Sequence, residues 1–194
     1  MTPERFEKIQ RVVKNRRFDI TVVLENVHDP HNIAAVLRTC DAVGISEVYT
    51  IDSVKRLSGR LGKKSSSSAS KWVKVYHFDD MQAAVQAIRS KYERMVCTHL
   101  NSEAVSIYDM DFKGSIALVF GNEHAGVTDE LRAFCDGNFI IPQIGMISSL
   151  NISVACAVTI YEAYRQRSSI DYSEKFAAEK QNLWDDWASR ETLS

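Results

Sequence analysis

The chain has 194 residues, 45% hydrophobic and 25% charged, with a formal net charge of −1. That suits one soluble domain carrying appended terminal helices, and it gives the whole protein no bulk attraction for nucleic acid. No apolar run reaches the roughly 18 residues of a membrane span, and the first residues lack a signal-peptide core, so a cytoplasmic protein is expected.

Residues 3–15 have helical spacing, with Phe6, Ile9 and Val13 on one face and Lys8, Arg11 and Lys14 on the opposite one. ITVVLE (20–25) reads as a strand, HNIAAVLRTCDAV (31–43) as a helix, and EVYTI (47–51) and WVKVY (72–76) as strands. Between them KKSSSSASK (63–71) has no apolar anchor; it is expected to be a mobile loop, either a plain linker or a grip for phosphate. A helix over 80–92 and strands at 95–98 and 116–120 follow. Next come a short helix at 128–135, a strand at 139–142 and helices at 148–167 and 173–190. Strands rich in β-branched residues alternating with helices predict an α/β fold with a largely parallel sheet flanked by helices.

Charge is unevenly spread. Residues 1–17 and 55–74 are basic, and 171–194 lean acidic. The basic segments fit either a local anionic partner or solvated surface. Cys40, Cys97, Cys135 and Cys156 are scattered among apolar neighbours without a C-x-x-C pair, which predicts reduced, mostly buried thiols. There is no G-x-G-x-x-G, P-loop or H-E-x-x-H pattern. His28 and His31 are separated by Asp29 and Pro30, which favours a turn before a helix over a metal site.

Three polar clusters fall at strand-to-helix passages, where open parallel sheets bind ligands. The first holds Asn32 and Arg38; Arg38 shares a helix face with Ala34 and Asp41, and a plain surface pair with Asp41 is the simpler alternative. The second is FGNEHAG (120–126), where Gly121 permits a sharp turn and Glu123 projects over the sheet edge, unless the segment is only a connection. In the third, Ser148, Ser149, Asn151 and Ser153 crowd one helix start. Capping needs one such residue and leaves the others as candidates for ligand contact.

NIAAVLR, FGNEHAG and IPQIGMISSLNISVACAVTIYE together resemble the three motifs of the SpoU (TrmH-like) branch of the SPOUT methyltransferases, and VHDPHN and CTHL match as well. The resemblance covers roughly residues 1–167, with 168–194 as a C-terminal helical extension. It implies 2′-O-methylation of an RNA ribose with S-adenosylmethionine, by a homodimer, without a metal or a membrane. It also implies a C-terminal trefoil knot, an exception to the usual unknotted topology. The N-terminus and YEAYRQR point to the tRNA D-loop guanosine at position 18 as substrate; a ribosomal RNA ribose, or RNA binding without catalysis, are the alternatives. The acidic C-terminal helix departs from the basic extension common in that branch. Carried over by motif, the cofactor contacts are Thr98, Leu100, Gly121, Ile141, Met146 and Leu150. Arg38 is the reacting residue, with Asn32, Glu123, Ser149 and Asn151 orienting it and the ribose. Lys8 and Arg11 on the first helix, Arg16 and Arg17 at its end, and Arg165 and Arg167 at the end of the last motif helix are expected to form a phosphate track. The two arginines of that last helix could instead only stabilise its carboxyl end.

Overall fold

In the computed structural model, which describes residues 1–53, 68–100 and 104–192, seven strands form one sheet in the order β3-β2-β1-β6-β4-β7-β5. The chain runs α1 (Pro3–Lys14), β1 (Ile20–Glu25), α2 (Pro30–Val43), β2 (Glu47–Ile51), a 3-10 turn (Ser68–Lys71), β3 (Lys74–Phe78), α3 (Met81–Arg89) and β4 (Arg94–Thr98). It continues through β5 (Val105–Ser106), β6 (Ile116–Phe120), α4 (Asp129–Arg132), β7 (Gly137–Ile140), α5 (Ile152–Gln166) and α6 (Ala177–Thr192). Every pairing between these strands is parallel. All carboxyl ends therefore lie along one edge. The expected mobile loop falls largely outside the described residues, as do Lys55, Arg56, Arg60, Lys63 and Lys64; its last residues form the 3-10 turn.

The sheet is covered on both faces, as a parallel sheet requires. All of β1 is buried, and its alternation sends Val22 and Leu24 to one side and Val23 to the other. On the first side these residues meet Val36, Leu37 and Cys40 of α2 and Cys156 and Ile160 of α5. On the second, Val23 joins Val85 and Ile88 of α3 and Leu131 of α4. A third cluster joins Ile9 and Val13 of α1 to Trp187 of α6. Phe6, expected on the docking face with them, is 45% exposed and makes a T-shaped contact with Trp184 of α6, at 5.0 Å between centroids. The four cysteines are free thiols; Cys40, Cys97 and Cys156 are buried, and burial pushes the Cys40 thiol up to about 12.

Element bounds differ from expectation where side-chain pattern is a poor guide. Strand β3 starts at Lys74, two residues later than its apolar run, because Val73 already turns into the core. The long helix expected from residue 148 starts at Ile152, since Asn151 caps it by accepting from the Ser153 N–H at 2.9 Å. Strand β5 is two residues long, too short to show a period.

Three members of the expected phosphate track are interior and cannot grip RNA. Arg16 is 0% exposed: its guanidinium donates to the Ile45 carbonyl at 3.0 Å, pairs with Asp41 at 2.5 Å and lies over the Trp187 ring at 5.1 Å. Arg17 is sandwiched between the rings of Tyr164 and Tyr172, at 4.6 and 4.8 Å. Arg167, also 0% exposed, pairs with Asp19 at 2.9 Å and donates to the Phe112 carbonyl at 2.6 Å and to the Gly114 carbonyl. These partners come from distant parts of the chain, so a run of basic residues did not disclose them. Lys8 and Arg11 are exposed, and Arg165 is exposed while paired with Glu162 at 2.7 Å.

Removing Arg167 leaves the Asp19 carboxylate without its cation, held by the Tyr172 hydroxyl at 3.1 Å, and takes the donor from two backbone carbonyls beside the core. Arg167→Leu is expected to lower unfolding free energy by about 3–5 kcal/mol, measured by urea titration. Because Arg167 is interior, the salt dependence of RNA binding by the folded fraction should stay as in wild type.

Candidate active site

Three loops meet at the carboxyl edge of the sheet: the one opening α2, the one after β6, and the one between β7 and α5. Asp29 caps α2 by accepting from the His31 N–H at 2.8 Å, with Pro30 in the first helical turn. This brings Asn32 out at the helix start.

The loop after β6 is tightly closed. Asn122 and Gly126 exchange backbone hydrogen bonds of 3.1 and 2.8 Å, and the Asn122 side chain accepts from the His124 N–H at 2.9 Å. A Cβ at Gly121 would lie 2.0 Å from the Gly126 backbone, so only glycine fits there; Gly126 itself has φ +69°. The loop is also moored to β1. Asn122 donates to the Asn26 carbonyl at 3.0 Å, and the fully buried Glu25 carboxylate accepts from the Thr128 N–H at 2.8 Å and hydroxyl at 2.5 Å. Burial raises the Glu25 carboxyl above its usual range, against the lowering effect of the Thr128 bonds. Asn26 adopts φ 54°, turning the chain out of β1. Glu25, Asn26, Asn122 and Thr128 were missed in the sequence. The signal for Asn122 is its place within FGNEHAG, between two glycines, where an asparagine is suited to hydrogen-bond the loop's own backbone.

These loops are joined through side chains. Asn151 donates to Asn32 at 3.2 Å, and Asn32 donates to Glu123 at 2.6 Å. The chain of amides thus ends on a carboxylate. Beside it opens a cleft of 660 Å³ lined by Thr98, Leu100, Gly121, Ile141, Met146 and Leu150, and also by Glu123 and Ser149. All six positions expected to contact a cofactor are therefore on one cavity wall. The Ile141–Leu150 segment leaves Ile144, Met146 and Ile147 strongly exposed. Ser153 spends its hydroxyl on Asn151, at 2.6 Å, whereas Ser148 and Ser149 remain on the cleft wall.

Arg38 stands apart. It is exposed, six residues after Asn32, roughly 9 Å further along the helix axis, and it does not line the cleft. The simpler alternative for it, a pair with Asp41, is not formed: Asp41 pairs with Arg16. The Arg38 side chain has no hydrogen bond or ion pair among the described residues. On the neighbouring α5, Val154, Tyr161 and Tyr164 are exposed at 46, 53 and 41%. No group of three or more His, Cys, Asp or Glu side chains that could hold a metal ion occurs among the described residues. No described helix is long and apolar enough to cross a membrane.

A parallel α/β sheet with an amide-carboxylate chain beside an open cleft at its carboxyl edge has the layout of an α/β ligand-binding protein. Comparison with known proteins is specific. Residues 19–161 match the SpoU rRNA methylase family, and the chain belongs to that family. It is 38% identical, over 166 residues, to the tRNA (guanosine(18)-2′-O)-methyltransferase of Thermus thermophilus, covering 86% of this chain and 84% of the relative. Its structure is similar to the TrmH/SpoU tRNA modifying enzyme of A. aeolicus, with a TM-score of 0.84, 29% identity and 98% of each chain covered. It is also similar to the SpoU methyltransferase AviRb from Streptomyces viridochromogenes in complex with AdoMet, with a TM-score of 0.66, 28% identity, and 79% of this chain and 62% of that one covered.

Gly121 holds the Glu123 loop shut, so its replacement tests that loop directly. Gly121→Ala is expected to destabilise the fold by about 1–3 kcal/mol, the range of overpacked sites, as read by urea titration. A stability equal to wild type would mean that the loop can open without cost.

Proposed function

We propose that the protein methylates a ribose 2′-hydroxyl of RNA with S-adenosylmethionine, and that its substrate is the D-loop guanosine at position 18 of tRNA. The observation that carries this reading is the Asn151–Asn32–Glu123 chain at the rim of the 660 Å³ cleft. The cleft fits the cofactor in size and chemistry. It combines apolar side chains for a base with the exposed backbone of a loop lacking regular hydrogen bonds. Thr98, Leu100, Gly121, Ile141, Met146 and Leu150 would hold it there. When bound, the cofactor supplies an electrophilic methyl group on a sulfonium.

The protein's part is then to place the ribose hydroxyl and deal with its proton. Asn32, Glu123, Asn151 and Ser149 orient the ribose at the cleft mouth. Arg38 acts on the hydroxyl. A guanidinium keeps its proton at neutral pH and cannot act as a base, so Arg38 serves best as the cation that stabilises the oxygen as it loses its proton to water.

We further propose that the working form is a homodimer. The exposed apolar residues of α5 lie on the helix packed along α2, which carries Arg38, and Arg38 is outside its own chain's cleft. Pairing these faces would bring Arg38 to a cleft completed across the interface. A trefoil knot fits the same path: β6 inserts between β1 and β4, and the chain after β7 returns to lay α5 against α2. Lys8, Arg11 and Arg165 are the remaining candidates for phosphate contact.

The test is methyl transfer from labelled S-adenosylmethionine to unmodified tRNA and ribosomal RNA transcripts, with the product nucleoside mapped. A 2′-O-methylguanosine in the tRNA D-loop is expected, and methylation of ribosomal RNA alone would overturn the substrate. Arg38→Ala and Arg38→Lys, run beside wild type, should lose nearly all turnover while retaining cofactor binding by calorimetry, because lysine lacks the planar fork. Turnover near wild type in either would remove Arg38 from the chemistry.

A further inference from the structure

Arg38 and Asp41 are neighbours on the exposed surface of α2, three residues apart, the spacing at which arginine and aspartate ordinarily pair. They do not pair here. The Asp41 carboxylate is drawn inward to Arg16, 2.5 Å away, and is only 35% exposed. Arg16 has no freedom to release it. It is fully buried, with one nitrogen on the Ile45 carbonyl at 3.0 Å and its guanidinium under the Trp187 ring of α6 at 5.1 Å. A buried cation left without its carboxylate would be costly, so this pair is held far more firmly than a surface contact.

We infer that Arg16 is a positioning residue for the reaction: by holding Asp41 inward, it keeps the Arg38 guanidinium free for RNA. This rests on the reading that Arg38 acts on the ribose. Arg38 needs its donors and its charge uncommitted, and a carboxylate one helical turn away is the competitor closest in sequence. Arg16 removes that competitor from a distance of 25 residues, across the junction between α1 and α2. It also connects the acidic C-terminal helix to the site: Trp187 of α6 covers the guanidinium that holds Asp41. The basic residue at the end of the first helix thus contributes to catalysis from the interior, without touching RNA.

The experiment compares full-length wild type with Arg16→Met, Asp41→Asn, the double variant, Arg16→Lys and Arg38→Ala. Each is measured for turnover on unmodified tRNA transcript at saturating cofactor and for thermal midpoint. Arg16→Met frees the Asp41 carboxylate, and turnover should fall about 2- to 5-fold, the range an exposed ion pair is worth. Asp41→Asn should lower the thermal midpoint as well, because Arg16 is left buried and uncompensated, yet it should keep wild-type turnover. The double variant should recover the turnover lost in Arg16→Met, since no carboxylate remains to capture Arg38. A purely structural Arg16 makes turnover follow stability in every variant. Loss in Asp41→Asn equal to that in Arg16→Met, or a double variant no better than Arg16→Met, would therefore overturn the inference. Should Arg16→Met not fold, Arg16→Lys and Asp41→Asn decide: both are expected at wild-type turnover, and a loss in Asp41→Asn overturns it. Arg38→Ala separates the two levels, because full turnover there sinks the reading of Arg38 itself.

Discussion

Asn32 accepts a hydrogen bond from Asn151 and donates one to Glu123, and that single amide ties three loops from distant parts of the chain into one rim. A primary amide suits this place because it carries a donor and an acceptor on one rigid plane. Each loop arrives by its own device: an aspartate-capped helix start, a glycine-locked turn, and a helix capped by Asn151 itself. The parallel sheet is what lets them meet. With every strand running the same way, each carboxyl end delivers its loop to the same edge.

Beneath the rim, rigidity comes from buried polar groups as much as from apolar packing. Glu25 at the end of β1 accepts twice from Thr128, and Asn26 takes a left-handed turn to receive Asn122. A carboxylate brought into the interior costs free energy unless its acceptors are used. Here both oxygens are used to fix the exit of the loop that carries Glu123. The same logic governs Arg16, Arg17 and Arg167. Their cations are held by carboxylates, carbonyls and aromatic faces, and they bind the terminal segments to the body of the fold.

Much of this was legible in the sequence. The strands β1, β2 and β6 are runs such as ITVVLE and IALVF whose composition admits little else, and their bounds agree with the observed ones. The six positions expected around a cofactor do line one cleft, because motif residues at strand ends have only one edge to go to. What the sequence did not disclose depends on long-range partners. Arg16, Arg17 and Arg167 look like surface charges until Asp41, Tyr172 and Asp19 are brought beside them. Likewise, Asp41 looked like the partner of Arg38, and only the burial of Arg16 shows why it is not. Four polar residues at one helix start were ambiguous for a local reason. Asn151 and Ser153 satisfy each other, which leaves Ser148 and Ser149 on the cleft, and spacing alone cannot make that division.

If the three loops work as a unit through Asn32, breaking either of its bonds should do the same damage as breaking both. The direct measurement is a double-mutant cycle on kcat/KM for methyl transfer to tRNA, using Asn32→Ala, Asn151→Ala and the double variant. The double variant is predicted to be no slower than the worse single one, giving a coupling free energy of about 0.5–3 kcal/mol, the range for residues within one network. Effects that simply add would contradict the account and leave three loops acting independently.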